Sequence, residues 1–221
     1  MLAEWTAECA ADAPTLVVPW SDPDSAAHYI DLRAEPYDIA EIREADLYPA
    51  LSRTLRSLNA ARSPFITAKC DVWQLSAEEQ PEELEALRFA LDLGPEESRC
   101  GIAGYIDILW RDRALFASAH QQTEMLDRLT RRAERLDHHA AALACVLRPA
   151  MFDSEEGTLE GFAFTLYIRA LGHDAPAAIE RWSSALDDLT ALLRSRDLAP
   201  SRTSVTIDTS AYPLRVRHMQ K

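Results

Sequence analysis

The sequence predicts an α+β protein: a mixed or antiparallel sheet with helices on one face. Three observations predict it. Stretches of alternating apolar and polar residues interleave with stretches whose leucines recur every three or four positions, so strands and helices share the chain. Two strand-like runs, Leu143 to Phe152 and Gly161 to Leu171, are joined by the acidic segment Asp153-Ser-Glu-Glu-Gly157, which reads as an antiparallel hairpin. The 221 residues are 48% hydrophobic and 27% charged, without an apolar run near the ~18 residues of a membrane span. That balance excludes disordered, fibrous and membrane-spanning classes.

The elements follow in order. Thr15 to Trp20 is a short apolar strand ended by the turn residues Ser21-Asp-Pro-Asp24. His28 to Arg33 alternates, with Ile30 and Leu32 opposite Tyr29, Asp31 and Arg33, and reads as a second strand. Residues 39–61 read as helix through Leu47, Leu51, Leu55 and Leu58, with a fresh start capped by Asp46 because Pro49 fits only a first turn. Pro64 to Leu75 alternates again and sets Ile66, Ala68, Cys70 and Val72 on one side. Ser76-Ala-Glu-Glu79 is a capping box for a short helix carrying Leu84, Leu87 and Leu91, which stops at Gly94-Pro95.

Gly101 to Arg111 is the most strand-like stretch of the chain. After it, Leu115, Ala119, Gln122, Leu126, Leu129, Ala133, Leu136 and Ala140 trace the core face of a long helix. The hairpin follows, and Asp174 caps a last helix lined by Ile179, Trp182, Leu186, Leu189 and Leu193. Thr203 to Thr209 and Leu214 to Val216 are short strand candidates.

One further pattern bears on organisation. Tyr29-Ile-Asp31 recurs as Tyr105-Ile-Asp107, and each copy precedes a helix and then a strand with a central cysteine, Cys70 or Cys145. Two β-α-β-β-α halves, 15–98 and 99–217, would resemble a tandem ferredoxin-like arrangement inside a single compact unit of 1–221.

Charge and cysteine usage restrict partners and compartment. The net charge of −13 repels phosphate backbones and anionic membranes, so nucleic-acid binding and membrane attachment are not expected; a basic protein partner or a homodimer is. Cys9, Cys70, Cys100 and Cys145 are scattered, with no C-x-x-C pair, and the N-terminal residues carry acids where a signal peptide carries bases. A cytoplasmic protein with unpaired thiols is expected.

Candidate sites are few. With Ile30, Ile106, Ile108, Cys70 and Cys145 facing the helices, the opposite face of the sheet collects Tyr29, Asp31, Lys69, Asp71, Tyr105, Asp107, Arg148, Tyr167 and Arg169. Such a face suits a cleft for a small polar molecule, or for a carboxylate held by Arg148 and Arg169. It equally suits a solvated sheet surface with cross-strand ion pairs, or an interface rich in tyrosine and tryptophan. His120, Glu124, Asp127, Arg131, Glu134 and His138 share one helical stripe, but their spacing supplies two metal ligands at most, so no metal and no cofactor are expected. Cys100 beside Arg99 is the most reactive thiol on sequence grounds, and Arg215, Arg217, His218 and Lys221 form a small basic tail. There is no G-x-S-x-G, P-loop or G-x-G-x-x-G.

The expectation is therefore an acidic protein that acts by binding a protein partner, its own copy or a small polar ligand. The alternative is a small enzyme using Asp and Arg side chains in a cleft on the polar sheet face. A buried carboxylate with a raised pKa would favour the cleft; an exposed, salt-bridged one would favour a plain surface.

Overall fold

A computed structural model describes residues 1–10, 12–24, 26–154, 157–195 and 198. The expected strands at 203–209 and 214–216, and the basic tail, lie outside the described residues. Alternation in the sequence becomes six strands in one mixed sheet: β1 (Leu2–Ala7), β2 (Leu16–Val18), β3 (Phe65–Leu75), β4 (Cys100–Trp110), β5 (Ala141–Ser154) and β6 (Gly157–Gly172). The order is β1-β5-β6-β4-β3, and β2 lies beside the far end of β5. β1 and β2 run parallel to β5, while β5–β6, β6–β4 and β4–β3 are antiparallel. The expected hairpin is there, tighter than its acidic segment suggested, with Ser154 opposite Gly157. Gly157 has φ of 116°, a conformation side chains disfavour.

Leucine periodicity becomes α1 (Arg43–Leu47), α2 (Pro49–Asn59), α3 (Pro81–Ala90), α4 (Arg113–Phe116), α5 (Ala119–Ala133) and α6 (Ala175–Leu193). Helices α2, α6 and α5 lie side by side on one face, burying Leu51, Leu55, Leu126, Leu129, Trp182, Leu186 and Leu189 against Ile102, Ile106, Ile108, Cys145, Leu166 and Ile168. The expected cap of α6 holds, with Asp174 accepting from the Ala177 N–H at 2.8 Å. Gly104 is glycine because a Cβ there would meet the Asp71 carbonyl at 2.9 Å and the Trp182 ring at 3.1 Å. The short α3 packs over one end of the opposite face, where Leu84 and Leu87 join Leu75, Ala103, Ala142 and Leu171.

Several local expectations are corrected. His28 to Arg33 is not a strand: only Ser21 and His28 form a bridge. Asp31 makes its own turn, its side chain accepting from the Arg33 N–H at 3.0 Å and its carbonyl from the Ala34 and Glu35 N–H groups. The repeat thus loses the first strand of its first copy, and the two tandem halves are not seen. Residues 36–41 form a 3-10 helix, and the fresh start at Pro49 has Tyr48 at its N-cap position without a side-chain cap, while Asp46 lies inside α1. The long helix breaks at Ala117, because the Ser118 hydroxyl caps a new start at Ala119, and α5 ends at Ala133. His138 consequently leaves the expected stripe; its ring is largely buried and bonds Asp188 at 2.9 Å. Strand β1 was not expected, although Leu2, Glu4 and Thr6 alternate with Ala3, Trp5 and Ala7.

The correction that matters most for function lies in β3. Thr67 pairs with Ile108 and Cys70 with Ile106, so Ala68 and Lys69 together oppose Asp107. This two-against-one bulge reverses the alternation. Ile66, paired with Leu109, falls on the face opposite the helices, while Cys70 and Val72 remain on the helix side.

Candidate functional site

Register places seven of the nine candidate residues on one surface. Across the face away from α2, α5 and α6, Asp71, Tyr105 and Tyr167 form one cross-strand row. The next holds Asp107 and Thr165 opposite the bulge at Lys69. Arg169 lies one row beyond Tyr167, between Ala103 and Ala142. Arg148 lies at the other end, opposite Ala163. Tyr29 and Asp31 belong instead to the segment linking β2 to β3. There burial, with Asp31 beside it, pushes the Tyr29 phenol up to about 12. Burial works against the Asp31 carboxylate, but two hydrogen bonds from the Arg33 side chain hold it below the usual range.

The expected joint grip of Arg148 and Arg169 on one carboxylate is not made. Along β6 their partners are Ala163 and the Arg169 position itself, six residues apart, or about 20 Å at the rise of a strand. Arg148 instead reaches Glu8 at 3.4 Å.

A cleft of about 890 Å³ opens over the β3 edge beside this surface. Lys69, Asp71 and Tyr105 form its floor, residues 20–23 and 26–28 one wall, and Arg43 with Glu44 another. Trp20 fixes that wall to the strand, its indole N–H donating to the Ala68 carbonyl at 3.0 Å. The Lys69 ammonium sits 4.5 Å from the centre of the same ring. The bulge thus does two things: it offers the Ala68 carbonyl to Trp20, and it shifts the pairing of Phe65–Thr67 by one residue while Lys69 stays in register with Asp71, opposite Asp107.

Asp107 is the unusual group. It is 4% exposed, and its hydrogen-bond partner is the Thr165 hydroxyl at 2.5 Å. Burial raises its pKa above the ordinary value, although the Thr165 bond and the Arg148 and Lys69 charges pull the other way. Tyr105 is raised as well, first by burial and then by the Asp107 and Asp71 charges, so its phenol stays a hydrogen-bond donor. Cys70, on the helix side of the same bulge, is pushed up to about 12 by burial and by Glu44, Asp71 and Asp107, which makes it inert as a nucleophile. The register of Cys70–Leu75 continued by one residue already sets Lys69 opposite Asp107; what alternation could not show is the extra residue that shifts Phe65–Thr67 by one.

Asp107 holds its proton more tightly in the folded chain than in the unfolded one, so stability falls as pH rises through its folded pKa. Asp107→Asn removes the buried charge and keeps an acceptor for Thr165. The stability of Asp107→Asn relative to wild type is therefore expected to be higher at pH 8 than at pH 4, measured by urea unfolding at both. A relative stability that is lower at pH 8 would mean an ionised, favourably paired Asp107.

The metal-spaced residues do not assemble. His120 and Glu124 pair at 3.4 Å on the exposed side of α5, far more open to water than His138. Among the described residues, no group of three or more His, Cys, Asp or Glu is placed to hold a metal ion. None of the described helices is long and apolar enough to cross a membrane. Comparison with protein families, with curated proteins and with solved structures finds no match to this chain.

Proposed function

We propose that the chain binds a small polar molecule in the cleft over the β3 edge, with the polar sheet face as its floor. One observation carries this reading. At the bulge, Lys69, Asp71 and Tyr105 line a cleft of about 890 Å³ while a buried Asp107 with a raised pKa lies beside them. A solvated surface has no use for a desolvated carboxylate, whose burial costs free energy. The cleft volume also lies in the range of small-molecule sites, which join apolar walls to a few fixed polar groups. The net charge of −13 supports a ligand other than nucleic acid. The four unpaired cysteines support a reducing compartment.

The raised pKa of Asp107 also favours a second reading, in which that carboxyl delivers a proton to the bound molecule and the protein is an enzyme. The two readings share the site and differ in turnover.

Lys69→Met tests the shared claim. A panel of amino acids, amines, hydroxy acids and sugar phosphates is screened at millimolar concentration by ligand-observed NMR. Compounds that bind wild type are expected to bind Lys69→Met at least tenfold more weakly. The melting temperature should move by no more than about 2–4 °C, the equivalent of one exposed cation–π contact. Unchanged affinities in Lys69→Met, or a panel without binders, would overturn the reading.

A further inference from the structure

We infer that Arg169 is the anion anchor of this face: it holds the carboxylate of a ligand whose flat body lies on Tyr105 and Tyr167. The inference rests on the polar face being a ligand site and adds the class of ligand. Its starting point is an arginine without an acceptor. Arg169 is half-buried, its Nε–H is sealed from water with no hydrogen-bond partner, and no ion pair reaches the guanidinium among the described residues. Other half-buried arginines find acceptors: Arg33 on Asp31, Arg88 on Ser98, Arg181 on the Leu171 carbonyl; Arg148, whose Nε–H is also sealed without a partner, still reaches Glu8 through a terminal nitrogen.

The register explains why Arg169 does not. Its cross-strand neighbours are Ala103 and Ala142, which offer no acid, and α3 leucines cover that end of the face. A guanidinium stripped of part of its water and left without a carboxylate is costly, and a bidentate anion removes that cost. The same arginine is two residues beyond Tyr167 on one side of β6. Tyr167 and Tyr105 have ring centres 5.8 Å apart at 44°, and Trp73 continues the ladder 6.4 Å from Tyr105. Rings half-open to water beside a guanidinium suit a planar body, which can lie against both.

Chemistry also decides the sign of the ligand. Asp71 closes the tyrosine row at the β3 edge and Asp107 lies one row further from Arg169, so the Arg169 end of the face carries the cation without an acid beside it, and a carboxylate is favoured there. The fit is therefore a flat, conjugated monocarboxylate, oriented by its charge.

The test uses 2-naphthoate and its neutral counterpart 2-naphthamide as probes, titrated calorimetrically into the full chain. Wild type is expected to bind the carboxylate at least tenfold more tightly than the amide. Arg169→Lys should remove most of that difference, because an ammonium cannot make two parallel hydrogen bonds, and Tyr167→Leu should weaken both probes several-fold. A melting curve for each variant establishes that it is folded. Equal affinity of the two probes for wild type, or unchanged 2-naphthoate affinity in folded Arg169→Lys, overturns the anchor. If 2-naphthoate is weakened by Lys69→Met but not by Arg169→Lys, the cleft reading stands and the anchor alone fails. If neither 2-naphthoate nor any compound of the polar panel binds, both fail.

Discussion

Trp182→Ala is expected to lower the stability of the protein by about 3–5 kcal/mol, the range for emptying a buried tryptophan site. The indole is 1% exposed and lies where three elements meet. Its N–H donates to the Ile168 carbonyl at 3.1 Å, its edge meets Tyr48 with centroids 5.9 Å apart, and its far carbon lies over Gly104. The glycine has no side chain to fall into the void, so the cavity cannot collapse and the cost belongs at the upper end. The loss is local to the helix side of the sheet, behind β4. Urea unfolding measures it, and a change under about 1 kcal/mol would mean that α6 does not seat on Gly104 as described.

Leu129→Ala carries the second large effect, about 2–5 kcal/mol. Leu129 is fully buried on α5 beside Leu126 and Ala133 and belongs to the one large core between α5 and the sheet. The spread reflects how far Met125 can relax into the space, since unbranched methionine fills gaps that branched residues cannot. The same urea series measures it. A cost near that of a surface change, within about 0.5 kcal/mol, would mean that this face of α5 is not against the sheet.

Both residues were legible in the sequence, for the same reason. Trp182, Leu186, Leu189 and Leu193 on one helix, and Leu126, Leu129 and Ala133 on another, recur at the helical period, and burial follows period. The strands β4, β5 and β6 were legible because both their length and their flanking turns point the same way. His28 to Arg33 misled because alternation over six residues does not reveal whether an aspartate prefers its own turn; Asp31 does, and it closes one on Arg33. The helix expected through 140 ends at Ala133, where the exposed Glu134 and Arg135 interrupt the apolar stripe, and Leu136 and Ala140 reach the core from the turns that follow instead of from the helix.

The site was legible as a set of residues and not as a geometry. Period two put Lys69, Asp71, Tyr105, Asp107, Tyr167 and Arg169 on a common face, and that grouping stands in the register. What period two cannot contain is the extra residue at 68–69, which leaves Lys69 opposite Asp107 and moves Ile66 across the sheet. Nor can it give distance along a strand, which is why Arg148 and Arg169 looked like one clamp and are two separate cations. The cleft itself depends on Trp20 docking on the Ala68 carbonyl, a contact 48 residues apart in sequence.

The central claim is that the β3 bulge and its cleft form a binding site for a small polar molecule. Backbone amide shifts of the ¹⁵N-labelled chain, followed while a binder from the polar panel is titrated in, test it most directly. The account predicts saturable shifts that cluster at Lys69, Cys70, Asp71, Tyr105 and Asp107 and are lost in Lys69→Met. Shifts confined to other surfaces, such as the exposed His120 side of α5, with the bulge amides unmoved at saturation, would contradict it.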